Sequence, residues 1–207
     1  MHWSALHWPR RHAGNDGVFQ VPTGRSDIQE VLDFWFRELT PNQWFQGGPA
    51  LDEMIAERFG ELVDQARSGM LDDWADTPLG RLALIIVLDQ FSRNVFRGSP
   101  KTWEMDPVCQ QLAVEGIEAG MDESLALSQR QFFYMPLMHA EDPELQALSV
   151  RKFTQLRDEA VTILDFAREH AETIRAFGRF PYRNKVLDRD TTDAEARYLA
   201  SDRNPFS

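Results

Sequence analysis

A chain of 207 residues, 43% apolar and 11% aromatic, is long enough to fold around one substantial core. Its formal net charge of -11 argues against nucleic acid or an anionic membrane as a partner, since either needs a surplus of Lys and Arg on some face. The longest apolar run, Leu82–Leu88, falls far short of the roughly 20 residues that span a bilayer.

In chain order, residues 1–25 carry Gly and Pro at short intervals without helical periodicity. They are predicted to form a flexible N-terminal arm ahead of a single helical domain, 26–207. The arm holds Arg10, Arg11 and Arg25 but lacks the apolar stretch and cleavage site of a secretory leader. With Cys109 the lone cysteine, and so without an internal disulfide, the expected location is cytoplasmic. Cys109 itself reads as a packing residue between Val108 and Leu112.

The first helix is predicted to open at Ser26, where S-D-I-Q lets Ser26 and Gln29 cap each other's backbone N–H. Ile28, Val31, Leu32, Trp35 and Leu39 then recur at helical spacing. TPNQWFQGGP reads as a loop. A second amphipathic helix, about Leu51–Ala66, places Met54, Ile55, Phe59, Leu62 and Val63 on one face and stops before Gly69. Three further starts pair a capping residue with proline: Thr77-Pro78, Asp106-Pro107 and Asp142-Pro143. The matching stops are Gly98, Gly120 and Gly178.

A helix is also expected over Ser128–Glu141, and a long helical region over Pro143–Phe177 with a break near Asp158–Val161. A second capping box, Thr192 with Glu195, opens a short terminal helix. Alternating β-branched runs are missing, so the fold class is all-α: about eight helices in stacked antiparallel pairs. No 34-residue self-similarity marks a regular repeat array.

The segment LIIVLDQFSRNVFRG poses the functional question. At about 100° per residue, Asp89, Arg93 and Arg97 share a face with Gln90 and Asn94, while Leu88, Phe91, Val95 and Phe96 lie opposite. That face is hydrocarbon one turn earlier. Either the helix emerges into solvent there, with a weak Asp89–Arg93 pair, or the polar half still faces protein and every charge needs a partner.

Two other segments could supply partners. QFFYMPLMHAED carries Pro136 inside a helical pattern, then His139 at the helix end and Glu141 beyond it. RAFGRFPYRNKVLDRD is locally basic in an acidic chain, with Arg179 and Arg183 beside Asn184. Its arginines would either cradle a carboxylate or phosphate or latch the C-terminal segment to acidic helices. Zinc-protease, phosphate-loop, serine-elbow and paired-cysteine signatures are missing, and His139 and His170 have no ligand spacing with Asp89 or Glu141, so neither a metal nor a cofactor is expected. Trp44-Phe45 reads as core or as an exposed interface patch.

LDQFSRNVFRG at 88–98, FFYMPLMHAEDPELQ at 132–146 and FGRFPYRN followed by Thr191-Thr192 and Glu195 together resemble a bacterial family known as domain of unknown function 924, over roughly residues 27–202. The resemblance implies a tetratricopeptide-like helical fold and no assigned activity. This chain departs from the family pattern at Ser92, where proline is usual, at Tyr182, where histidine is usual, and at Asp188, where glycine is usual.

The sequence thus points to a helical binding module whose charged network recognises a protein segment or a small anionic molecule. Its candidate residues are Asp89, Gln90, Arg93, Asn94, Arg97, His139, Glu141, Arg179, Arg183 and Asn184. The alternative is an enzyme using His139 or Glu141 as acid or base on a small anionic substrate.

Overall fold

The structure, a computed structural model, describes residues 25–201, and every regular element among them is a helix. The predicted arm lies outside the described residues except for Arg25, where the first helix begins. Two compact units divide at Phe153 and Thr154.

The first unit opens with α1 (Arg25–Asp33), which widens into a π-helical turn over Phe34–Glu38. α2 (Pro41–Phe45) and α3 (Pro49–Arg67) follow. α4 (Pro78–Ile85) runs through a second π turn, Ile86–Phe91, into α5 (Ser92–Val95). α6 (Asp106–Glu118) and α7 (Leu127–Met138) complete the unit with the start of α8 (Pro143–Phe177).

Much of this punctuation follows from single side chains. Thr77 accepts the N–H of Gly80 at 3.2 Å with Pro78 at the first helical position, where its missing donor costs nothing. Asp142 Oδ1 accepts the N–H groups of Glu144 and Leu145 at 2.9 Å each, so Asp142-Pro143 starts α8 in the same way. Gly98 and Gly120 sit at φ 80° and 68°, the left-handed backbone that glycine adopts without steric cost.

Three expectations are corrected. The segment TPNQWFQGGP contains α2, because Thr40-Pro41 is itself a start, with the Thr40 N–H donating to Gln43 Oε1 at 2.9 Å. Asp106 does not cap α6; its side chain turns to Arg93. α8 runs without the expected break, since no Gly or Pro interrupts 144–177 and Thr162 returns its hydroxyl to the Asp158 carbonyl.

The core centres on the two π turns. Phe91 stacks on Phe59 with ring centroids 4.7 Å apart and meets Phe34 and Trp35 edge-on at 5.8 Å. Leu82 to Leu88 are all buried, each large side chain contributing about 1.5–3 kcal/mol by leaving water. A π turn shifts the backbone from i−4 to i−5 pairing. In the second, the Ser92 N–H reaches the Val87 carbonyl. Within the first, the Trp35 carbonyl accepts the Trp44 indole N–H at 2.8 Å.

Trp44 is thereby half-buried against Phe132, whereas Phe45 is exposed. Cys109 is fully buried and burial pushes its thiol well up, as a packing residue requires.

The second unit contains the rest of α8, a 3-10 turn over Pro181–Arg183 and α9 (Asp193–Leu199). Tyr198 of α9 packs on Phe177 and its hydroxyl pairs with Thr173 at 3.1 Å. Thr192 and Glu195 form the predicted capping box.

Candidate functional site

Asp89 enters from the second π turn fully buried, which forces it to find partners. Its Oδ1 lies 2.9 Å from Arg93 Nη2 and 2.9 Å from His139 Nδ1, and Gln90 donates to its other oxygen. Arg93 Nη2 also reaches Asp106 Oδ1 at 2.9 Å. His139 follows the last residue of α7, so the network joins the α4–α5 helix, α6 and the end of α7.

Counting hydrogens assigns the imidazole tautomer. Arg93 Nη2 has two hydrogens, and the Asp89 and Asp106 carboxylates take both. Its 2.9 Å approach to His139 Nδ1 then has no hydrogen left to donate. Nδ1 therefore carries the proton and donates it to Asp89, and Nε2 is the free ring nitrogen. Nε2 and Arg93 Nη1 have no partner among the described residues, whereas Arg93 Nε is sealed without one.

The two carboxyls are pushed apart. Burial raises Asp89, but the hydrogen bond and charge of His139, with Arg93, outweigh it and hold the group below its ordinary range. Asp106 goes the other way: burial lifts it, and Arg93 does not fully offset that with Asp89 nearby. An ionised orienting acid and a more easily protonated one thus share a single guanidinium.

Arg93, Asp106 and His139 from this network border an open cleft of about 720 Å³ that is also lined by Trp103, Pro107, Gln110, Glu141 and Asp142, while Asp89 lies buried behind them. Glu141 has no hydrogen bond among the described residues, and Trp103 is 58% exposed. No cluster of three or more His, Cys, Asp or Glu with metal-holding geometry occurs among the described residues.

Of the residues singled out from sequence, the structure joins Asp89, Gln90, Arg93 and His139 and puts Glu141 on the same cleft. Asn94 and Arg97 turn to α3, where both bond Asp52, at 2.7 Å from Asn94 and 2.6 and 2.8 Å from Arg97. The Arg97 hydrogen bond holds the Asp52 carboxyl below its usual range despite burial.

Arg179, Arg183 and Asn184 belong to the second unit. Arg179 grips both oxygens of Glu195 at 2.6 and 2.9 Å, and Asn184 donates to Glu195 and Thr191. Arg183 lies over the Phe180 ring and meets the Tyr182 hydroxyl.

Sequence reasoning missed Asp106, Asp142, Trp103 and Gln110 as cleft residues. An acid before proline signals a helix cap, and at Asp142 both roles coincide. Nothing local marks Trp103 or Gln110.

A family model described as bacterial protein of unknown function (DUF924) matches residues 31–203. The chain belongs to this family. It is also similar to a solved structure of the protein of unknown function ATU0120 from Agrobacterium tumefaciens, at 36% identity and a TM-score of 0.59, covering 84% of this chain and 97% of that one. No curated protein matches.

Membership gives the departures physical content. Asp188 holds φ 50°, a left-handed backbone in which the family's usual glycine sits at ease. Ser92 occurs where the second π turn closes, and there it supplies an N–H that proline lacks.

Proposed function

We propose that this protein is a ligand-binding helical module whose cleft takes a small polar molecule with an anionic or carbonyl oxygen. Arg93 Nη1 and His139 Nε2, both without a partner among the described residues and both on an open cleft, are the observation that carries this reading. A volume of about 720 Å³ suits a small ligand. Asp106, Glu141 and Asp142 on the same walls favour a ligand whose remainder is neutral or cationic.

Exposed Trp103 beside the cleft supports a second reading, in which an aromatic anchor receives a protein segment. Cytoplasmic location belongs to the proposal, supported by the cysteine usage. Among the described residues no helix is long and apolar enough to cross a membrane.

A thermal-shift screen of carboxylates, phosphates and free amino acids tests the reading. A carboxylate or amino acid is expected to raise Tm in the intact chain and in Arg183→Ala, with the shift lost in Arg93→Ala. No shift with any of these compounds would overturn the small-ligand reading.

A further inference from the structure

Building on that cleft, we propose that it hydrolyses a carboxylic ester, with His139 Nε2 as general base, Asp89 as its positioning residue and Arg93 Nη1 as the donor to the developing oxyanion. The observations are geometric. Asp89 is buried at 1% exposure and holds Nδ1–H at 2.9 Å, which fixes the tautomer that leaves a basic nitrogen on the cleft. Arg93 is held by Asp89 and Asp106 through Nη2, so its orientation is set while Nη1 remains without a partner among the described residues. Base and preorganised cationic donor are thereby assembled on one open cleft, with the orienting acid buried behind them.

The nucleophile is water. None of the lining residues carries a hydroxyl or a thiol, and Cys109 is fully buried with its thiol pushed well up. His139 Nε2 takes a proton from water as the water oxygen bonds to the acyl carbon. The carbonyl π electrons move onto its oxygen, which faces Arg93 Nη1. Collapse of the tetrahedral adduct restores the carbonyl and breaks the bond to the leaving oxygen, which takes the proton from Nε2–H. An acid and an alcohol leave, and the imidazole is neutral again. An ester fits better than an amide because an alkoxide leaves far more readily than an amide anion, so one proton delivered from the imidazolium completes the step.

The test uses p-nitrophenyl acetate with the full chain, read as p-nitrophenolate release. The intact protein is expected to exceed an equal concentration of free imidazole by about 100-fold. His139→Gln should fall to the buffer rate, and imidazole added to His139→Gly should restore turnover. His170→Gln should keep the full rate, since His170 bonds the Phe166 carbonyl on α8 and does not line the cleft. Asp89→Asn should lower kcat with KM unchanged; if its buried amide prevents folding, the partly exposed His139 variants decide.

Turnover no faster than free imidazole, or equal turnover in His139→Gln, overturns hydrolysis. If a carboxylate still raises Tm in that case, the ligand cleft survives; if neither effect occurs, both readings fall.

Discussion

Two arginine–carboxylate clusters in this chain look alike in sequence and differ in what they leave unspent. Around Glu195 both carboxylate oxygens are occupied: Arg179 takes both, Thr192 and Asn184 add donors to Oε2, and the acceptor left over, Asn184 Oδ1, is sealed. Around Asp89 the buried carboxylate is likewise paired and one atom, Arg93 Nε, is likewise sealed, yet the network ends in Nε2 of His139 and Nη1 of Arg93, which have no partner among the described residues and belong to residues lining a cleft. Ionic pairing alone therefore does not mark a site. Free valences held rigid by a paired interior do.

The largest expected effect comes from the Asp89 cluster. Asp89→Ala removes a sealed carboxylate and leaves Arg93 with Asp106 alone, at a cost of about 3 kcal/mol in urea denaturation. A loss within experimental error of zero would mean that the network does not hold the core. Glu195→Gln keeps the shape of the side chain and weakens a cap and a bidentate pair whose arginine is a third exposed, so it should speed amide exchange in α9 while leaving ligand shifts at the cleft unchanged. Unchanged exchange in α9 would contradict the closed-cluster description.

Acid titration sharpens the contrast because the signs are opposite. Hydrogen bonds from Arg179 and Thr192 depress the Glu195 carboxyl to about 2 from an ordinary 4.5, so its stabilisation is complete above 4.5 and is lost as pH falls toward 2. Asp106 is raised above 3.8 by burial, so the folded state holds that proton more tightly and stability declines as pH rises from 3.8 through the raised value. Denaturation between about pH 3 and 7 should show Glu195→Gln losing a slope that rises with pH and Asp106→Asn losing one that falls. Slopes of the same sign would refute the assignment. The smallest effect is expected of Arg183→Ala, whose contacts are aromatic and local: ligand shifts at the cleft should not change.

What was legible in the sequence was what depends on neighbours along the chain. Thr77-Pro78, Asp142-Pro143, Gly98 and the Thr192–Glu195 box act within a few residues of themselves, and all function as read. The Asp89–Arg93 pair was legible for the same reason, as an i,i+4 relation. His139 was read as a possible partner from its place at the end of a helix, where the helix dipole favours a charged imidazole.

Tertiary choices were not legible. Asn94 and Arg97 turn to Asp52 because α3 packs against that side, which no local pattern reveals. Asp106 carries two meanings, cap and partner, and only the position of Arg93 chooses between them. The unbroken α8 shows the reverse error: a run of polar residues without Gly or Pro does not stop a helix.

The measurement closest to the central claim is the tautomer of His139, read by long-range nitrogen–proton correlation in protein labelled with nitrogen-15 histidine at mildly basic pH. The account predicts a protonated Nδ1 and a bare Nε2. A protonated Nε2 with a bare Nδ1 would contradict it, because Nδ1 would then accept from Arg93 and the cleft would present no base.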